Sequence, residues 1–141
     1  MKTKAMMRQA LTTAKEHLQQ YGFIYSPAIK IIAKGSKPIA VQPICKDEES
    51  KKLAANEIRK LCQRIKAQET IILSDVFVHS KEGKPTRDAL YVAAENKKRI
   101  YKVVLPYKFK ADGTVQFGKE DWSKEMKKNK QEFGRYEGIV Q

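Results

Sequence analysis

The sequence predicts an α+β domain: an antiparallel sheet of about five or six strands with two helices on one face and a C-terminal helical tail. Three observations lead there. Residues 3–21 and 47–67 repeat apolar side chains at helical spacing. The stretches between and after them carry short β-branched and aromatic runs. The later runs are joined by connections short enough to make neighbours antiparallel. The expected order is α-β-β-α-β-β-β-β-α, with one domain over residues 1–118 and a charged amphipathic tail over 119–141.

In the first helix the apolar residues are Met7, Ala10, Leu11, Ala14, Leu18 and Tyr21, and Gly22 is a suitable stop. Two short strands follow, Ala28 to Ala33 and Pro38 to Ile44, joined by the Gly-containing loop Lys34-Gly35-Ser36-Lys37. The second helix begins at the N-cap Asp47, with Glu48 and Glu49 at its positive end. Ala54, Ile58, Leu61, Cys62 and Ile65 form its apolar face, and Lys52, Asn56, Arg59, Gln63 and Lys66 run along the other side.

Strands are then expected over Thr70 to Val78, Asp88 to Glu95 and Lys98 to Phe109, with a short one at Thr114 to Gly118 after the Ala111-Asp112-Gly113 turn. Asn96-Lys97 reads as a two-residue turn that sets Val92 opposite Tyr101 and Leu90 opposite Val103. Alternation then places Leu90, Val92, Tyr101, Val103, Leu105 and Tyr107 on the inner face, and Tyr91, Lys98, Ile100, Lys102, Val104 and Lys108 on the outer. Ala89, Ala93, Ile100 and Val104 form an apolar strip on that outer face, which calls for a cover. In the tail, Trp122, Met126, Asn129, Phe133 and Tyr136 share a helical stripe that could provide it, dock on the core, or join a second copy.

The chain carries a net charge of +13, concentrated between Lys97 and Lys110, where six bases stand without an acid. Such an excess draws polyanions, so nucleic acid held through its phosphates, with little base specificity, is the leading expectation. Lys97, Lys98, Arg99, Lys102, Lys108 and Lys110 are the candidate phosphate contacts, with Tyr91 as the stacking ring and Lys52, Arg59 and Lys66 as a second stripe. An acidic protein partner would use the same lysines. A homodimer through the outer sheet face or the Trp122, Met126 and Phe133 stripe is a further possibility.

Catalytic, metal and cofactor signatures are missing. His17 and His79 have no neighbour at ligand spacing, Gly35 belongs to no phosphate-binding loop, and Ser74 and Ser80 have no nucleophile-elbow context. The sequence therefore leans away from an enzyme, and no cofactor or metal is expected. An enzyme acting on an anionic substrate would have to use Asp75, Arg87 and Asp88, which read instead as a charge pair at the end of the sheet. Cys45 and Cys62 lack CxxC spacing and suit a reduced, partly buried pair. With no apolar run long enough to span a bilayer, and an N-terminus too polar for a signal peptide, a cytoplasmic location is expected.

Three fragments carry a resemblance: Thr70-Ile71-Ile72-Leu73-Ser74-Asp75, Pro85-Thr86-Arg87-Asp88-Ala89-Leu90 and Ala93-Ala94-Glu95. Together the stretch resembles a family of small bacterial and mobile-element proteins with no established activity. The resemblance implies an α+β fold and carries over no functional residue.

Overall fold

The computed structural model describes residues 2–35, 37–44, 46–78, 87–122 and 126–127. Helix α1 spans Lys2–Tyr21 and α2 spans Glu48–Ile65. The strands are β1 (Ala28–Ala33), β2 (Ile39–Val41), β3 (Ala67–Val78), β4 (Arg87–Asn96), β5 (Arg99–Phe109), β6 (Val115–Phe117), β7 (Asp121–Trp122) and β8 (Met126–Lys127). They form one antiparallel sheet in the order β2-β1-β3-β4-β5-β6, with β7 and β8 also paired to β5.

The helices lie on opposite faces, which corrects the expectation of one shared face. The division is visible within β3, where neighbouring side chains must point to opposite sides. Ile71 joins Met7, Leu11, Ala14 and Leu18 of α1 with Leu90, Val92, Val103 and Leu105. Ile72 joins Ala55, Ile58 and Cys62 of α2 with Ile29 and Ile31. A run such as Ile71-Ile72-Leu73 is apolar on both faces, so one layer of helix cannot keep it from water.

Local chemistry fixes the helix ends. The Asp47 carboxylate accepts from the Ser50 amide at 2.7 Å, and the Ser50 hydroxyl receives the Asp47 amide at 3.0 Å. That reciprocal pair satisfies two groups the first helical turn would otherwise leave open, and it holds the Asp47 carboxyl below the usual carboxylate range. At the other end Lys66 takes the left-handed conformation, with its amide turned back to the carbonyls of Cys62 and Gln63.

The β4–β5 hairpin turns at Lys97-Lys98, one residue later than expected. The Asn96 side chain accepts from the amides of Lys98 and Arg99 at 2.8 and 2.9 Å, so it caps the turn in place of occupying it. Val92 consequently faces Val103, and Ala94 faces Tyr101. The slip is of two residues, an even number, so every side chain keeps its expected face. Ala89, Ala93 and Ile100 of the outer strip are buried and Val104 is half-buried.

The tail expectation is corrected where the structure describes it. Residues 121–122 and 126–127 are strands, and the remainder of the stripe, with Asn129, Phe133 and Tyr136, lies outside the described residues. The free edge of β5 explains the strands, because its backbone groups need partners. β6, β7 and β8 lie in turn along that edge. From Tyr107 to Val103 is four residues on β5 against five from Phe117 to Trp122 on the outer side, so the register slips by one between β6 and β7. Pro106, which has no amide to give, sits at that break, and its carbonyl accepts from Gly118 at 2.7 Å. A Cβ on Gly118 would meet that of Pro106 at 3.4 Å, an ordinary van der Waals contact. Trp122 packs on the α1 core under the Arg8 guanidinium, 4.9 Å from the ring centre.

Two predictions follow from this packing. Thr70 is almost wholly buried and its hydroxyl meets no partner among the described residues, so Thr70→Val should stabilise the fold by roughly 1 kcal/mol in urea titration. Trp122→Ser should lower the melting temperature without changing the sedimenting mass, because the ring docks on its own chain.

Candidate functional sites

The register sorts the loops to two ends of the sheet. Ala33 pairs with Ala67, and Glu69 with Asn96, so the β1–β2 loop, the α2–β3 junction and the β4–β5 hairpin share one end. That end collects Lys34, Lys37, Lys66, Lys97, Lys98 and Arg99, all exposed. Gln68, Asn96, Lys97, Lys98, Arg99 and Tyr101 line a shallow depression of about 440 Å³ there. Among the described residues Lys34, Lys37, Lys66, Lys97 and Lys98 form no ion pair; the pairs present are Arg8–Glu120, Lys51–Glu48 and Lys60–Glu57. Of the described acids near this end, Glu95 is buried and Glu69 half-buried.

The other sequence candidates lie elsewhere. Lys108, near the far end of β5, and Lys110, just past it, are exposed, roughly 30 Å from the hairpin at about 3.3 Å per residue. Lys102 is half-buried opposite Ala93. Lys52 is exposed on α2, and Arg59 donates to Asn56 at 2.8 Å. The stripe through Lys52, Arg59 and Lys66 climbs the helix to the basic end. Tyr91 is corrected: it faces Ser74 and Val104 and is 9% exposed, which leaves no ring face for a base.

The acidic cluster is also corrected. Asp75 and Asp88 lie on the α1 face, since Asp88 pairs with Tyr107 and Asp75 with Leu90. Arg87, the next residue on the strand, points away and forms no ion pair with either among the described residues. Asp75 instead accepts from the Tyr107 hydroxyl at 2.8 Å. Partial burial holds the Asp75 carboxyl above its usual range, opposed by that hydrogen bond and assisted by the Asp88 charge. Burial and the hydrogen bond likewise push the Tyr107 phenol up. Two carboxylates and a phenol that resists ionisation offer no nucleophile–base pair. No described group of His, Cys, Asp and Glu could hold a metal ion. Cys45, His79 and Ser80 lie outside the described residues, and no described helix is long and apolar enough to cross a membrane.

One constellation escaped the sequence reading. At the end of α1, Gly22 (φ 79°) turns the chain, and Tyr21, Phe23 and Tyr25 gather around His17 with ring centres 4.6, 5.5 and 5.9 Å away. His17 Nδ1 donates to the Phe23 carbonyl at 2.6 Å, and the Ser26 hydroxyl receives the Asp75 amide at 2.9 Å, pinning the loop to β3. The signal was the aromatic density of Tyr21-Gly22-Phe23-Ile24-Tyr25 straight after a helix stop.

The Asp75 environment predicts a pH dependence. A carboxyl whose folded pKa is raised binds its proton more tightly in the folded chain, so its unfavourable contribution grows as pH rises from its unfolded value through the folded one. Asp75→Asn keeps an acceptor for Tyr107 and removes the charge. Its melting temperature should exceed that of the wild type at pH 7 and converge with it near pH 3, at roughly one unit below the ordinary aspartate value. No family model, curated protein or solved structure matches this chain.

Proposed function

We propose that the protein is a non-enzymatic module that binds nucleic acid through its phosphates. The observation that carries this reading is the basic end of the sheet. Three separate connections converge there, each bringing exposed lysines, and the described acids nearby are withdrawn into the fold. Lysines placed this way repel one another at a cost to folding, and a polyanion would relieve it. The carbonyl end of α2 offsets part of the repulsion, since it favours cations. The depression at the hairpin is shallow and open, a shape suited to a backbone laid across it and unsuited to enclosing a small substrate.

The expected behaviour is steep salt dependence. Each neutralised phosphate contributes about −0.9 to the slope of log K against log salt on duplex DNA. Lys66→Gln, Lys97→Gln and Lys98→Gln combined should flatten that slope by about two to three units in anisotropy titrations, with folding unchanged. Failure of the wild type to bind any nucleic acid at low salt would reject the reading. An acidic protein would then be the partner to seek for the same lysines.

A further inference from the structure

We infer that the aromatic cluster at the end of α1, with the groove beside it, is a stacking site for unpaired nucleobases, which makes single-stranded nucleic acid the preferred polyanion. The inference rests on the nucleic-acid reading above and adds the class of ligand.

Exposure is the first support. Tyr21, Phe23 and Tyr25 are 57%, 49% and 60% exposed, a concentration of aromatic surface that a folded chain keeps from water when it can. The rings are already ordered. Phe23 and Tyr25 meet edge to face at 5.3 Å, His17 stands within reach of all three, and its hydrogen bond to the Phe23 carbonyl fixes the loop. A preordered ring loses little entropy when a base settles on it.

The groove is the second support. Two adjoining hollows of about 220 and 210 Å³ share Thr13, Ala28 and Leu73 and run from the cluster along α1. Their floor is apolar, while Gln9 and Gln42 bring amides that can bond the edges of a base. Lys30 lines the same groove, exposed and without an ion pair among the described residues. Flat apolar surface, amide edges and a cation in one groove match a nucleotide part for part. An acidic peptide would use the lysine and leave the rings uncovered.

Base pairing hides the faces these rings would cover, so a duplex can use only the lysines. Stacking is worth about 1–3 kcal/mol per base, or roughly five- to 150-fold in affinity. The test measures a labelled oligothymidylate of about twelve nucleotides, within the usual site sizes, and a duplex of the same length at low salt. Phe23→Ala with Tyr25→Ala should weaken the single strand at least about tenfold, leaving duplex affinity and the salt slope unchanged. Phe23→Leu with Tyr25→Leu keeps apolar bulk without rings and should give the same loss; circular dichroism checks the fold of both. Equal losses on the two nucleic acids, or no loss on the single strand, would overturn the stacking site. Lys97→Gln with Lys98→Gln, which should weaken both ligands, shows in that event that the phosphate reading stands by itself. Binding of neither ligand by the wild type overturns both.

Discussion

β3 is apolar on both of its faces, and that single constraint organises the molecule. A half-buried antiparallel sheet needs one covering layer, whereas this one needs two at its centre. The helices supply them from positions before and between the strands. α1 covers Ile71, and α2 covers Ile72. Because α2 runs directly into β3 through the left-handed Lys66, its cover and the strand it covers are held in fixed relation. The hairpins on either side then have their directions fixed by antiparallel pairing, which is what sends three lysine-bearing connections to one end.

The same pairing explains how Lys34, Lys37, Lys66, Lys97 and Lys98 stand without an ion pair among the described residues. Near the basic end the described acids sit within β3 and β4, where pairing and packing hold them. The lysines sit in turns and at a helix cap, where nothing covers them. A turn such as Lys97-Lys98 could be built from neutral residues, since Asn96 alone supplies the capping acceptor. The turn geometry therefore gives no reason for two cations, and binding a polyanion gives one.

Much of the fold was legible in the sequence, because period-two and helical patterns act through burial and burial decides faces. The β4–β5 turn shows how robust this is: the register moved by two residues, yet Leu90, Val92, Tyr101 and Val103 kept their side. Two features were less legible for the same reason. The side of the sheet a helix covers depends on which strand residues it meets, and in Ile71-Ile72-Leu73 either side offers an apolar partner. Trp122 and Met126 stand four apart, a helical spacing, but the open edge of β5 presented hydrogen-bonding groups that no local pattern records. Tyr91 followed alternation correctly to the outer face, while the burial of that face depends on tertiary packing. The aromatic cluster combines a helix with a loop through one glycine, and periodicity does not extend across such a turn.

The position of α1 ties the two proposed surfaces together. Arg8 stands over Trp122, which pairs with Val103, and Lys15 stands over Phe117, which pairs with Tyr107. The helix therefore runs from near the basic end towards the aromatic end, and its 20 residues span about 30 Å at 1.5 Å each. The proposed phosphate contacts and the proposed base contacts are thus separated along one helix. A short oligonucleotide engages one end at a time, and each end alone is weak: lysines in open solvent are screened by salt, and a few exposed rings hold only a base or two. A strand long enough to follow the helix engages both, and the second contact becomes intramolecular, with the gain in affinity that effective concentration brings. On the proposed reading, length is then a determinant of affinity in its own right, set by α1 as a ruler between stacking and charge.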